Sequence, residues 1–336
     1  MSDYLFIGPF PPPYAGPTVK NDILFKELSK HIVIRKMDTT LWKSQKIRSF
    51  FKIMLSKEKK IVLAVSKNGR LLLPLLRLKK MFSRNFEYSL LPMGDGLNKE
   101  LVCSNLVTRK LLVFGLKKTR SLFIQTHKQY REFNEKFPTL SVIYFPSFKN
   151  MPKRKLQYIF EKDVFKVVYV STVKAAKGIL TLINAISGVD EKVLLDIYGP
   201  IEDSFRTNFY KEISKHENIN YCGTLEPSTV SETINKYQLF VFPTYWDTEG
   251  FANVLVDAMI ASVPIIASDW NYNAEIVKSN YNGELFKPND ANDLKSKIVY
   301  LIKDKNKRFM YANNNRNDSF NYYIENIIED FLEAIR

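Results

Sequence analysis

Short apolar runs alternate with amphipathic stretches along the chain, a pattern typical of strands that alternate with helices. The first apolar run, at residues 4–8, precedes a proline-rich loop, a helical pattern at 19–29 and a second apolar run at 32–34. A strand, a helix and a second strand in this order form a βαβ unit, and such units build parallel sheets. We expect Thr18 to cap the first helix, because its hydroxyl can accept a free backbone N–H group.

The same alternation continues to the end of the chain and predicts an α/β protein with two parallel sheets. A polar, proline-containing stretch at 148–155 interrupts the pattern, so we place a domain boundary there. We predict a first Rossmann-like domain at 1–150, a second at 151–317, and a last amphipathic helix within 318–336 that returns to the first domain. Further strands are expected at residues 61–65, 86–91, 121–124, 141–145, 165–170, 193–200, 218–225, 239–242 and 264–268. Helices are expected at 97–114, 291–303, 305–314 and 322–335.

Composition supports two packed domains in a reducing compartment. The chain has 336 residues, of which 45% are hydrophobic and 13% aromatic, and this content is too apolar for a disordered protein. Its two cysteines, Cys103 and Cys222, lie far apart and form no metal or redox motif. Apolar runs are far shorter than the roughly 18–20 residues that span a bilayer, and no secretory leader is evident. We therefore expect a cytoplasmic protein.

Positive charge is concentrated in the first part of the chain. Residues 1–150 contain 28 Lys and Arg against 10 Asp and Glu, whereas residues 151–336 contain 22 against 25. The cations are interleaved with Phe, Ile, Leu and Met, which suits a membrane surface with anionic headgroups, where each cation adds about 1 kcal/mol. A lysine-rich solvated surface is the alternative. Nucleic acid is not an expected partner, because no reader motif accompanies the charge.

The segment Phe-Pro-Thr-Tyr-Trp-Asp-Thr-Glu-Gly-Phe-Ala-Asn-Val-Leu-Val-Asp-Ala-Met, which begins at Phe242, is the most informative part of the sequence. It follows a buried-strand pattern, and a helical pattern starts near Phe251. This order places Glu249 beside the free N–H groups of a helix start, which attract phosphates. Three residues, spaced three and four positions apart, are expected on one helix face: Gly250, Asn253 and Asp257.

These residues resemble a known family. Glu249-Gly-Phe with an acid eight positions later, together with Pro-Ile-Ile-Ala at 264–267 and Glu-Ile-Val at 275–277, is similar to the Glu-x7-Glu region of family 4 glycosyltransferases. The family consists of retaining, nucleotide-sugar-dependent enzymes of the GT-B fold, in which two doubly wound domains face each other across a cleft. The resemblance is strong from about residue 164 to 286. The second acid is Asp257 here, where the family has Glu.

The resemblance implies roles for individual residues. Glu249 would orient the donor sugar, and Lys177, in a loop similar to the family's Gly-Arg-Leu…Lys-Gly turn, would grip the donor diphosphate; these are the candidate catalytic residues. Thr172 stands where the family has Arg, and Lys174 would replace that cation only in part, because lysine lacks the guanidinium fork. Asp257 would hold the ribose. The other candidate donor contacts are Gly16, Asp95, Thr224, Leu225, Gly250, Phe251, Ala252 and Asn253.

Some of these candidates have structural alternatives or depart from the family pattern. Gly16 is matched to a glycine-bearing loop after the first strand, but it is the one glycine in a proline-rich turn. Asp95 lies between two glycines, which allow a close backbone approach or simply build a tight turn. Relatives often have glycines before the acid at Glu275, whereas this chain has Asn-Tyr-Asn at 271–273.

The resemblance implies a retaining glycosyltransferase that moves a sugar from a UDP- or GDP-sugar to a glycan or lipid-linked oligosaccharide in cell-surface polysaccharide biosynthesis. We expect it on the inner face of the membrane. No cofactor or metal is expected, since GT-B relatives use no bound metal and the chain has no Asp-x-Asp triplet. The departures at Thr172 and Asp257 leave a second hypothesis open, a non-catalytic GT-B subunit that binds a glycan or a partner transferase. A GT-B epimerase acting on a nucleotide sugar is a third.

Overall fold

The protein consists of two compact units, each with its own parallel sheet. The computed structural model describes residues 3–40, 51–94, 96–159 and 163–336. The first unit comprises Met1–Met151 and Tyr323–Arg336, and the second comprises Pro152–Tyr322.

The first unit contains a six-stranded parallel sheet. Its strands are β1 (Tyr4–Gly8), β2 (Ile34–Asp38), β3 (Lys60–Val65), β4 (Glu87–Pro92), β5 (Leu122–Ile124) and β6 (Val142–Tyr144), in the order β2-β1-β3-β4-β5-β6. Its helices before the linker include α1 (Gly16–His31), α2 (Leu73–Phe82), α3 (Gly96–Cys103), α4 (Leu106–Leu116) and α5 (His127–Lys136). Successive residues of β1 point to opposite faces, so Leu5 and Ile7 join one hydrophobic cluster and Phe6 joins another.

The second unit repeats this architecture. Its strands are β7 (Phe165–Val170), β8 (Val193–Tyr198), β9 (Ile219–Tyr221), β10 (Leu239–Phe242), β11 (Ile265–Ser268) and β12 (Gly283–Phe286), in the order β12-β11-β10-β7-β8-β9. Its helices include α6 (Ile179–Ser187), α7 (Arg206–Ile213), α8 (Val230–Ile234), α9 (Asn253–Ile260), α10 (Asn273–Ile276), α11 (Ala291–Lys303) and α12 (Lys305–Asp318). The strand order reverses between β7 and β10, and doubly wound sheets bind ligands beyond the carboxyl ends of their strands at such a point.

The last helix, α13 (Ile324–Ile335), belongs to the first unit, as the sequence predicts. Its apolar stripe is buried, and the ring of Phe331 stacks on Phe123 with the ring centroids 4.0 Å apart. The carbonyl of Ala334 accepts hydrogen bonds from Ser121 Oγ at 2.8 Å and Arg120 Nε at 3.1 Å. These contacts hold the end of the chain against the first sheet.

The predicted start of α1 and the predicted single helix at 97–114 are wrong, both because capping is decided locally. Helix α1 begins at Gly16, and Thr18 lies inside its first turn, where its hydroxyl accepts the Ala15 N–H at 2.9 Å. The helix predicted at 97–114 is two helices, because Asn105 caps α4 by accepting the Thr108 N–H at 2.9 Å. Within the described ranges, the structure contains no helix that is long and apolar enough to cross a membrane.

One lysine of the first unit is buried. Lys20, on α1, is 4% exposed, and its Nζ donates to Ser147 Oγ at 3.1 Å and lies 5.0 Å from the centroid of the Phe148 ring. Burial, assisted by the nearby charge of Lys149, lowers the pKa of Lys20 to about 7. The charged form of this side chain therefore opposes folding.

Replacing Lys20 with Met tests this directly. The pKa of Lys20 is about 7 in the folded protein and 10.5 when unperturbed, so the unfolded state binds more protons between these values. The stability of the wild type relative to Lys20→Met should therefore rise with pH across that window, by up to about 1.4 kcal/mol per pH unit. Thermal unfolding of both proteins between pH 6.5 and 9.5 measures the difference. A difference in Tm that stays constant with pH would contradict the depressed pKa.

Candidate active site

The loops that follow β7 and β10 pack against each other at the carboxyl edge of the second sheet. The N–H of Tyr245 donates to the carbonyl of Ala176 at 2.9 Å. Gly178 has φ +73°, and a Cβ added there would lie 1.9 Å from the carbonyl oxygen of Pro243. The close approach of these two loops therefore requires glycine at position 178.

A buried ion pair joins the two loops. The Nζ of Lys177 donates to Oε2 of Glu249, and the two residues are 7% and 9% exposed. The hydroxyl of Thr244 donates to the same carboxylate oxygen at 3.0 Å. Burial lowers the pKa of Lys177, although Glu249 opposes the shift, and Lys174 lowers it further. The two candidate catalytic residues are thus direct partners in one unit.

The ring of Trp246 lies beside two ammonium groups, those of Lys177 and Lys174. Lys174 Nζ lies 3.8 Å, and Lys177 Nζ 4.6 Å, from the centroid of the Trp246 ring. Cations bind over the face of an indole ring by electrostatic attraction to its π-electrons. Thr172 lies at the start of the loop that carries Lys174 and Lys177, and its carbonyl accepts a hydrogen bond from Tyr169 Oη at 2.9 Å. Lys174 therefore supplies a positive charge in the loop where Thr172 supplies none.

Helix α9 starts beside the ion pair, at Asn253 rather than near the predicted Phe251. The Phe251 ring packs outside the helix against Tyr322, with the ring centroids 5.7 Å apart, and Ala252 is the extended N-cap residue. An alanine methyl cannot accept a hydrogen bond, so the N-cap side chain satisfies none of the first backbone N–H groups. Gly250 lies before the helix, so the predicted helix face can be shared by Asn253 and Asp257 but does not include Gly250.

Asp257 is a buried, oriented carboxylate rather than a solvated helix residue. It is 5% exposed, and its Oδ1 accepts a hydrogen bond from Ser231 Oγ of α8 at 3.0 Å. The serine lies 26 positions earlier in the sequence, and no local pattern indicates that the two residues meet.

Backbone contacts link the loop of Thr224 and Leu225 to the rest of this edge. Thr224 is exposed and Leu225 packs on a hydrophobic cluster of the unit. The N–H of Gly199 donates to the carbonyl of Gly223 at 2.8 Å. A Cβ on Gly199 would lie 1.9 Å from the carbonyl oxygen of Ser171. The loops after β7, β8 and β9 are therefore in direct contact.

The candidate residues divide between the two units. The second unit brings together one group at the carboxyl ends of β7 and β10: Thr172, Lys177, Glu249, Gly250, Phe251, Ala252, Asn253 and Asp257. Gly16 is exposed at the start of α1 in the first unit, and Asp95 lies outside the described residues. In the described part of the chain, no three His, Cys, Asp or Glu residues form a group that could hold a metal ion. Residues of this edge that the sequence analysis left without a role are Ser231, Thr244, Trp246 and Asn271.

Two doubly wound units with this topology define the GT-B fold of glycosyltransferases, as the resemblance predicts. The HepE protein of Anabaena, solved with UDP and glucose, superposes with a TM-score of 0.75 over 98% of both chains at 15% identity. The family model of glycosyl transferases group 1 matches residues 151–318, which is half of the chain. The chain therefore belongs to glycosyl transferases group 1.

Curated relatives match about half of the chain. An uncharacterized glycosyltransferase of Methanocaldococcus jannaschii is 31% identical over 149 residues, which are 44% of this chain and 41% of the relative. The capsular polysaccharide biosynthesis glycosyltransferase CapM of Staphylococcus aureus is 27% identical over 205 residues, 59% of this chain and 53% of CapM. The chain thus spans about half of the length of these relatives.

Two glycine-to-alanine substitutions test the close approach of the loops after β7 and β10. Gly178→Ala combines a strained φ with a clash against Pro243, whereas Gly223→Ala, at φ +83°, meets no atom within 4 Å. The left-handed conformation alone costs about 1–2 kcal/mol. We therefore expect Gly178→Ala to lower the Tm clearly more than Gly223→Ala does. Equal losses of stability in the two variants would contradict the packing of these loops.

Proposed function

We propose that the protein is a retaining glycosyltransferase that moves a sugar from a UDP- or GDP-sugar to a glycan or lipid-linked oligosaccharide in cell-surface polysaccharide biosynthesis. Membership of glycosyl transferases group 1 and the similarity to CapM support this proposal. The observation that carries it is the buried pair of Lys177 and Glu249, which joins the loops after β7 and β10 beside the start of α9.

The proposal places the nucleotide-sugar donor along this edge. Its diphosphate would lie against the N–H groups of Gly250 to Asn253, with Lys177 and Lys174 as counter-charges. Because Oε2 of Glu249 already accepts from Lys177 and Thr244, Oε1 is the oxygen that faces a sugar hydroxyl in this pose. Asp257 would accept from the ribose, and the loop of Thr224 and Leu225 would line the base.

In this proposal the chemistry depends on electrostatic stabilisation of the leaving group. As the bond between the anomeric carbon and the phosphate oxygen breaks, negative charge grows on the diphosphate, and fixed cations and N–H dipoles lower the barrier. The leaving phosphate oxygen accepts the proton of the acceptor hydroxyl, so the new glycosidic bond forms on the same face. The protein's own groups supply this stabilisation in the proposal, which includes no metal or cofactor.

Removing the Glu249 carboxylate tests the proposed function. Glu249→Ala removes the oxygen that would orient the sugar, and the isosteric Glu249→Gln replaces the charged carboxylate with a neutral amide that no longer pairs with Lys177. Each should reduce kcat/KM by about 100-fold or more. Circular dichroism should show that both variants remain folded. Asp247→Asn, an exposed acid of the same loop, is the control and should keep wild-type rates. Undiminished transfer by the Glu249 variants would refute the assignment.

A non-catalytic subunit is the second candidate, because Thr172 and Asp257 depart from the family pattern. Titration calorimetry with UDP- and GDP-sugars separates the two. An enzyme binds one of these donors at or below millimolar concentrations, whereas a subunit that only binds a glycan or a partner transferase shows no donor binding. Incubation with the donor alone, followed by a search for an epimer, covers the epimerase alternative.

We further propose that the first unit binds the inner face of the membrane. Residues 101–131 contain seven Lys and Arg and no acid. Helix α4 exposes apolar side chains, with Val107 68% and Leu106 54% accessible. Beside it is a hollow of about 650 Å³, whose lining combines cations with apolar groups: Arg77, Leu101, Leu106, Arg109, Lys110, Val113, Phe114, Lys117, Lys136 and Phe137. Cations around exposed apolar groups are what an anionic lipid surface requires.

Vesicle flotation tests the membrane proposal. Wild-type protein should bind vesicles that contain anionic phospholipid, bind neutral vesicles weakly, and dissociate as salt rises, because screening weakens surface attraction. Arg109→Glu with Lys110→Glu should reduce binding to anionic vesicles by about 10-fold or more, from the loss and reversal of two charges. Lys211→Glu with Lys215→Glu, the same charge change at the C-terminal end of α7 and just after it in the second unit, should have little effect. Equal binding by both double variants would contradict this docking face.

A further inference from the structure

The side chain of Asn271 contacts the backbone of the loop that carries Glu249. Its Nδ2 donates to the carbonyl of Glu249 at 3.0 Å, and it lies 3.4 Å from the carbonyl oxygens of Trp246 and Asp247. All three carbonyls belong to the segment between β10 and α9. A side chain from the loop after β11 thus holds the backbone of the loop after β10.

The backbone of Asn271 has a conformation that glycine adopts most easily. Its φ is +50°, in the left-handed region, where asparagine is one of the few other residues found often. Glycine at this position would adopt the same backbone conformation but would lack the side-chain amide. Asparagine therefore satisfies the conformation and adds hydrogen bonds to the neighbouring loop.

The surrounding contacts fix the base of this loop. Trp270 Nε1 donates to the Trp246 carbonyl at 3.0 Å, and Ser268 Oγ donates to the carbonyl of Thr244. Asn273 Nδ2 donates in turn to the Ser268 carbonyl at 3.1 Å. Asn271 extends this support to the backbone of Glu249 itself.

We propose that Asn271 is a positioning residue, which holds the Glu249 backbone so that the carboxylate stays directed at the donor sugar. The proposal rests on the proposed transfer reaction and does not require contact between Asn271 and the substrate. A displacement of about 1 Å at a reacting centre can reduce a rate by about 100-fold, so the orientation of one loop matters.

Two substitutions at this position separate the effect of the side-chain amide from the effect of the backbone conformation. Asn271→Gly keeps the positive φ and removes the amide. Asn271→Asp keeps the size and the tolerance of positive φ, but an ionised carboxylate donates no hydrogen bond and repels the loop carbonyls. The matched control is Asn280→Gly, since Asn280 is exposed, has φ +63° and lies in the same unit.

Kinetics with the full-length protein should show loss of turnover without loss of donor affinity. We expect kcat to fall about tenfold in Asn271→Gly, as for one or two lost hydrogen bonds, and further in Asn271→Asp. The KM for the donor and the Kd for UDP should change less than about twofold, because the diphosphate and base contacts remain. Asn280→Gly should match the wild type. Wild-type kcat in both Asn271 variants, or an equal loss in Asn280→Gly, would overturn the proposal.

Hydrogen exchange tests the same contact without a substrate. The amides of residues 245–252 should exchange faster in both Asn271 variants than in the wild type or Asn280→Gly. Unchanged exchange would overturn the proposal, and so would loss of the folded state in both Asn271 variants, which would show a purely structural role. If the wild type transfers no sugar, the proposed function fails, while the exchange rates still decide whether Asn271 orders the loop.

Discussion

The buried pair of Lys177 and Glu249 is the interaction on which the rest of the site depends. Removing one partner of a buried ion pair typically costs about 3–5 kcal/mol, because the other charge is left without compensation. The pair exists because β7 and β10 are neighbours in the sheet, which brings their loops together. Gly178 allows those loops to touch, and Thr244 donates to the carboxylate oxygen that Lys177 also binds.

The periodic parts of the fold could be predicted from the sequence alone. Strands such as β1 and β7 are short apolar runs, because both faces of a parallel sheet are buried. Helix α13 has a clear apolar stripe. The predicted starts of α1 and α9 are wrong, because helix starts depend on a few local hydrogen bonds. Thr18 acts from inside the first turn of α1, and Phe251 packs against Tyr322 instead of entering α9.

The composition of the candidate site could be predicted, but its internal contacts could not. Motif spacing indicated Lys177, Glu249 and Asp257, because a family resemblance is carried by short local patterns. The partners that orient them come from elsewhere in the chain: Ser231 for Asp257, and Asn271 for the backbone of Glu249. Contacts over 22 to 26 positions leave no periodic signal in a single sequence.

The departures from the family pattern are matched by contacts nearby. Thr172 provides no cation, but Lys174 lies over Trp246 beside Lys177. Asp257 is shorter than glutamate by one methylene, and Ser231 fixes one of its oxygens. Asn271 takes a glycine-like conformation and uses its side chain to support the adjacent loop. Together these contacts describe a site that differs from the family pattern in detail around the buried pair of Lys177 and Glu249.

A crystal structure of the protein with an intact nucleotide-sugar donor would show whether the buried pair binds the donor. We expect the diphosphate to lie against the start of α9 within hydrogen-bonding distance of Lys177 Nζ, with a sugar hydroxyl on the Glu249 carboxylate. A donor bound elsewhere, with Lys177 and Glu249 still paired only to each other, would contradict this expectation.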